Sequence, residues 1–161
     1  MRLLTREAQI AAGAALAARV AAFRPDGVIF IRDGGEIAGR AVADALSIPA
    51  FGLDLSYPWR RRLDRLPLAL RAALSPCKEL AYRAARPRLA PGALDGLPRL
   101  DRAVLIDDTA STGRTLRAAL GALEPRGLPR SALRVAVLRC GPGARSEVDV
   151  WLTDERVWAL R

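Results

Sequence analysis

The chain has no histidine among its 161 residues. That absence removes the usual imidazole general base, the Ser-His-Asp triad and most transition-metal sites. Cysteine is nearly absent too: Cys77 and Cys140 stand 63 positions apart, which fits no common zinc spacing and gives no disulfide framework. Two buried free thiols are the plain reading. Aromatics are only 5% of a chain whose apolar content comes mostly from Ala and Leu, a mix that favours helices packed on a sheet over an all-β sandwich. No apolar run approaches the ~18 residues of a membrane span. The alanine-rich amino-terminal stretch is interrupted by Arg6, Glu7 and Arg19, so it reads as an amphipathic helix rather than a signal peptide, and a cytoplasmic location is expected. Acidic residues are in the minority, and the net charge is +9. That balance suits a polyanionic partner, either a small molecule carrying phosphates or a nucleic acid, but equally a solvated arginine-rich surface.

What is present is ordered as an α/β pattern. Thr5 precedes a helical run and offers an N-cap hydroxyl. Residues 25–27 (PDG) read as a turn, and residues 28–32 (VIFIR) as a buried parallel strand broken by Asp33, Gly34 and Gly35. Helical spacing returns over 36–46, and residues 50–55 (AFGLDL) are a second strand candidate. Residues 103–106 predict a strand running into two carboxylates, 113–123 a helix closed by Pro125 and Gly127, and 133–139 (LRVAVLR) and 148–152 (VDVWL) two more strands. Between them, 56–102 is proline-punctuated and arginine-rich, with short helices expected at 66–74 and 77–86 and a loop at 87–100. About 45 residues hardly fold alone, so residues 58–101 are read as a helical cap or insert on one domain spanning 1–161. The expected architecture is a mainly parallel five-stranded sheet flanked by helices.

In such sheets ligands sit beyond the carboxyl ends of the strands, which singles out residues 33–35 and 107–115. Asp107 and Asp108 arrive side by side at the end of a buried strand, as acceptors for a vicinal diol or for the waters around Mg²⁺. The following Thr109, Ala110, Ser111, Thr112, Gly113, Arg114 and Thr115 are mostly small and open a helix. Free N–H groups and the positive end of the helix dipole make that a phosphate site, with Thr112 and Thr115 hydroxyls as further donors. Diol acceptors beside a phosphate cradle match a ribose 5-phosphate. The bland alternative is a surface turn with ordinary capping residues.

The run VLIDDTASTGRTL at 104–116 resembles the 13-residue motif of type I phosphoribosyltransferases: four apolar residues, two acids, then small residues ending in x-T-G-x-T. The resemblance implies the fold of that family, and transfer of the 5-phosphoribosyl group from 5-phosphoribosyl-1-pyrophosphate to a nucleobase nitrogen with release of pyrophosphate, as in nucleotide salvage. It implies Mg²⁺ as cofactor and a homodimer. By position, Asp107 and Asp108 would hold the ribose hydroxyls, and 110–115 would wrap the 5′-phosphate. IRDGGEIAGRAVADAL is similar to the family's pyrophosphate loop, with Arg32, Asp33, Gly34 and Gly35 against the pyrophosphate and the Asp33–Gly34 peptide at the position that often turns cis. LDLSY at 53–57 looks like the strand leading into the mobile loop, where the cluster of Tyr57 with Arg60, Arg61 and Arg62 would add positive charge through its arginines unless these form a solvated run. Arg139 would contact an exocyclic oxygen of the base, and Trp158 or Trp151 would stack on it unless they serve as packing.

Two departures bear on the acceptor. Ser111 stands where family members acting on 6-oxopurines carry an acid, and Asp33 where the pyrophosphate loop often carries Lys or Arg. A rival reading is a regulatory protein of the same fold that binds RNA or DNA: TGRTLRAALGAL and RGLPRSALRVAVL look like the matching stretch of the bifunctional pyrimidine-attenuation regulators. A competence-type relative of this fold is a further rival, although the amino-terminal cysteine cluster common there is missing.

Overall fold

A computed structural model describes residues 5–56 and 87–154. Thr5 caps the first helix, α1 (Arg6–Val20), by accepting the Ala8 N–H at 3.2 Å. In the same turn, the Glu7 carboxyl is held below its usual pKa by its own backbone N–H and by the Thr5 hydroxyl. Strand β1 (Gly27–Ile31) is buried throughout and passes without a linker into α2 (Arg32–Leu46). Then follow β2 (Ala50–Leu53), the two-residue strands β3 (Leu55–Ser56) and β4 (Arg88–Leu89), β5 (Ala103–Ala110), α3 (Arg114–Leu123), β6 (Leu133–Cys140) and β7 (Val150–Asp154).

Five strands form one sheet in the order β2-β1-β5-β6-β7, and every pairing is parallel. β3 and β4 pair antiparallel in a separate ribbon. β3 falls at the end of the strand expected from sequence at 53–57, whereas β4 falls where a loop is expected, because a two-residue strand leaves no alternation to read. The central strands are β1, β5 and β6, and their apolar residues divide between two faces. Val28, Phe30, Val104, Ile106, Ala136 and Leu138 face α1 and α2. On the other face Ile29, Leu105, Val135 and Val137 meet Leu116, Ala119 and Leu123 of α3.

The amino edge of the sheet is stapled by two carboxylates. Asp26 accepts the backbone N–H groups of Asp101 at 2.7 Å and Arg102 at 3.1 Å, joining the entry to β5 to the turn before β1. Asp149 does likewise for β6, accepting from the Val135 N–H at 2.8 Å and from Arg130 at 2.9 Å. No helix among the described residues is long and apolar enough to cross a membrane. The expected helices at 66–74 and 77–86, together with Cys77, lie outside the described residues, whereas Cys140 is buried with its Sγ 3.5 Å from the Gly141 carbonyl oxygen.

Two glycines in helices make a paired test. A Cβ at Gly13 in α1 would come within 2.6 Å of the Ala41 Cβ and 2.8 Å of the Ala38 carbonyl oxygen in α2, so the helices cross where only glycine fits. A Cβ at Gly121 in α3 would meet nothing within 4 Å. Gly13→Val is expected to lower stability by about 1–3 kcal/mol through overpacking. Gly121→Ala is expected to raise it by roughly 0.5–1 kcal/mol, because alanine loses less backbone entropy in a helix. Urea unfolding midpoints of the two variants check both signs.

Candidate functional site

Parallel strands deliver their carboxyl ends to one edge, and here β1 and β5, paired in the middle of the sheet, both run into helices at that edge. The sequence predicts a strand ending before Asp107. β5 instead continues to Ala110, so the two carboxylates belong to the strand itself. Successive strand residues point to opposite faces. Asp107, buried at 7% exposure, follows Leu105 toward the α3 side, and its Oδ1 accepts the Asp108 N–H at 2.9 Å. Asp108, half-buried, points to the α2 side against Gly34.

The residues 33–35 are expected as a loop containing a cis peptide. The structure places them in the first turn of α2, and no cis peptide occurs among the described residues. The glycine pair is explained by proximity rather than by a turn. A Cβ on Gly34 would lie 2.5 Å from Asp108 Oδ1, and one on Gly35 would lie 2.6 Å from the Ile106 carbonyl oxygen and 3.0 Å from the Asp107 Cα. Contacts that short require glycine at both positions. The uncapped start of α2, with Ile31 as its N-cap and no capping side chain, therefore sits directly on the two acids. Arg32 leads elsewhere: a Cβ on Gly52 would come within 2.7 Å of its Nε, so it lies over β2. There it lines a cavity of about 510 Å³ with Glu36, Arg40 and Asp54.

After Ala110, three residues separate β5 from α3. Gly113 is the N-cap of α3 in the left-handed region at φ +70°, with no capping side chain. The turn after β6 backs this loop. The Gly141 N–H donates to the Ala110 carbonyl at 2.7 Å, and a Cβ on Gly143 would lie 3.1 Å from the Ser111 carbonyl oxygen. Arg117 of α3 donates to the Thr112 carbonyl at 2.9 Å and to Glu147 Oε1 at 3.1 Å. Neither Arg117 nor Glu147 is flagged by sequence reasoning. They stand 30 positions apart, and each fits an ordinary polar position.

Beside Asp107 on the same face come Thr109 and, directly across on β6, Arg139. The Thr109 Oγ1 and the Arg139 Nε are buried and have no hydrogen-bond partner among the described residues. Arg139 also faces Thr153 of β7, whose hydroxyl is already committed to the Leu138 carbonyl at 3.2 Å. A buried guanidinium N–H without an acceptor is costly, roughly 1–3 kcal/mol or more for a charged group. Trp151 is further back along β7, in register with Val137, half-buried against the core and with Arg145 over its ring at 5.9 Å. Through Val137 it is level with Asp107, two strands away across the sheet. Tyr57, Arg60, Arg61, Arg62 and Trp158 lie outside the described residues. Among the described residues, no three Asp, Glu or Cys side chains converge as a metal cage.

No protein-family model matches the chain. Over 56 residues it is 50% identical to the bifunctional protein PyrR of Leifsonia xyli subsp. xyli (strain CTCB07), a stretch that is 35% of this chain and 28% of that relative's length. The match thus spans well under a third of that protein. Solved structures are similar over nearly the whole chain. The purine phosphoribosyltransferase of Pyrococcus horikoshii Ot3 aligns with a TM-score of 0.63 at 19% identity, covering 94% of this chain and 85% of that one. The APRTase of Giardia lamblia, complexed with 9-deazaadenine, aligns with a TM-score of 0.63 at 18% identity, covering 94% and 81%. At such identities the likeness is one of architecture, and the chain has the fold of the type I phosphoribosyltransferases.

Proposed function

We propose that the protein transfers the 5-phosphoribosyl group of 5-phosphoribosyl-1-pyrophosphate to a ring nitrogen of a nucleobase, within one domain that spans the chain. The observation that carries this reading is the β5–α3 junction: two adjacent acids, then a left-handed glycine opening an uncapped helix. Asp107 and Asp108 would accept the ribose hydroxyls, and residues 109–115 would donate backbone N–H groups and hydroxyls to the 5′-phosphate. The first turn of α2, from Arg32 through Asp33, Gly34 and Gly35, offers uncapped N–H groups beside the same acids, where a pyrophosphate would follow the sugar. The donor set fits Mg²⁺ held mostly by the ligand's own oxygens, with Asp107 and Asp108 the nearest protein carboxylates and no third ligand among the described residues. When bound, the ion neutralises charge on the leaving pyrophosphate.

In the reaction the acceptor nitrogen forms a bond to C1 of the sugar while the C1–O bond breaks. The electron pair leaves with pyrophosphate, and the nitrogen's proton passes to the departing pyrophosphate or to water. The residues named so far bind and orient. Ser111 supplies no carboxylate to take that proton, which argues against an acceptor that needs one at this position. Arg139 supports an acceptor bearing a carbonyl oxygen, because its buried Nε lacks an acceptor among the described residues and a ligand oxygen would complete it. Trp158 remains the proposed stacking partner of the base. The active unit is proposed to be a homodimer acting in the cytoplasm.

A regulatory role with RNA or DNA as partner is the second reading, favoured by the 56-residue match to the bifunctional protein PyrR. The charge does not add to it within the described frame, where 15 arginines meet 14 acidic residues. Nucleic-acid binding that falls steeply with salt and persists without 5-phosphoribosyl-1-pyrophosphate would favour it.

The central test combines binding and turnover. Asp107→Asn with Asp108→Asn removes two charged acceptors worth roughly 1.5–3 kcal/mol each, so calorimetric affinity for 5-phosphoribosyl-1-pyrophosphate with Mg²⁺ should fall about 100-fold or more. The unfolding temperature should stay within a few degrees. Unchanged affinity sinks the phosphoribosyl reading, and no pyrophosphate release with any nucleobase moves the function to regulation. Arg139→Leu should separate the two ends of the site. The KM for the acceptor base should rise about 10- to 100-fold while 5-phosphoribosyl-1-pyrophosphate affinity stays within twofold. The same variant should be no less stable than the parent, since it deletes an unsatisfied donor. A loss of sugar-phosphate affinity instead would move Arg139 to the other end of the site.

A further inference from the structure

We propose that Arg117 is a positioning residue that sets the direction of the Thr112–Gly113 peptide and so turns the 111–115 loop into an anion receptor. This inference rests on the phosphoribosyl reading above and adds to it the device that holds the loop ready. The geometry is a fork. One prong, Nη2, donates to the Thr112 carbonyl at 2.9 Å, and the other, Nη1, donates to Glu147 Oε1 at 3.1 Å. Glu147 is itself fixed, since its N–H donates to the Ala144 carbonyl at 2.9 Å and its carboxylate accepts from Ser146 at 3.4 Å. The loop is thereby tied through one guanidinium to the turn that follows β6.

The consequence follows from the planar peptide. In a trans peptide the C=O and the next N–H point in opposite directions. Drawing the Thr112 carbonyl toward Arg117 turns the Gly113 N–H the other way, out of the fork. Gly113 does not itself enforce that choice, because it sits at φ +70° and glycine tolerates either sign of φ. Released from the fork, the peptide is free to flip, and a carbonyl dipole would then face an incoming phosphate dianion. The fork acts by geometry more than by attraction. The Arg117 side chain is paired with the Glu147 carboxylate, which offsets its charge, and it is 48% exposed, where screening is strong. Lysine keeps the charge but gathers its donors on one nitrogen and lacks the planar, spaced pair that spans both acceptors, so it does not replace the fork.

The test uses the full chain and ribose 5-phosphate as probe, with calorimetry and the Gly113 amide resonance as readouts. The parent should bind, and its Gly113 amide should shift on addition of the probe. Arg117→Lys and Arg117→Gln should both bind about 10-fold more weakly, the loss of one good hydrogen bond to phosphate, and the probe-induced Gly113 shift should collapse. Glu147→Gln, which keeps the Thr112 contact, should lose only about two- to threefold. Arg117→Lys binding within twofold of the parent with the Gly113 shift intact overturns the proposal, even if Arg117→Gln is too unstable to assay. A parent that fails to bind ribose 5-phosphate overturns the phosphoribosyl reading itself, an outcome distinct from a silent lysine variant.

Discussion

The first turn of α2 lies against β5 so closely that neither Gly34 nor Gly35 has room for a Cβ. Most of the site follows from this contact. It brings the uncapped start of α2 onto Asp107 and Asp108, some seventy positions further along the chain, and seats the helix beside the strand pair β1 and β5. It also explains why α2 starts without a linker after Ile31: the direction of β1 aims the chain at the neighbouring strand at once. A larger residue at either glycine would tilt the helix off the sheet, and with it a whole row of N–H groups.

The same edge shows how a parallel sheet divides labour. β1 and β5 supply helix starts, β6 supplies Arg139, and the turn after β6 braces the loop after β5 through Gly141, Gly143 and Glu147. The amino edge, by contrast, is closed by Asp26 and Asp149, each satisfying backbone donors of a neighbouring element. Stability is concentrated at one end of the strands. Unsatisfied donors, such as the Arg139 Nε and the Thr109 Oγ1, collect at the other.

Much of this was legible in the residues. Apolar runs bounded by turn signals placed β1, β6 and the first half of β5 within a residue or two, and Thr5 marked the start of α1. Residues 107–113 stood out as a candidate site because polar residues directly after a buried strand have few structural reasons to be there. What escaped detection depends on contacts distant in sequence. Gly34-Gly35 reads locally as a breaker, and only the approach of β5 explains two glycines inside a helix. Asp107 through Ala110 read as a loop because polar residues hide a strand that runs past the core. The Arg117–Glu147 pair and the two-residue strand β4 leave no periodicity at all.

The two carboxylates of β5 belong to different layers, Asp107 to the α3 side and Asp108 to the α2 side. A ligand that engages both would act as a rivet through the sheet, joining helical layers that otherwise touch only through strand side chains. Its binding energy would then enter the cooperativity of the whole domain rather than the order of one loop. At a ligand concentration of 100 times Kd that coupling is worth about 2.7 kcal/mol, a large share of a small domain's total stability.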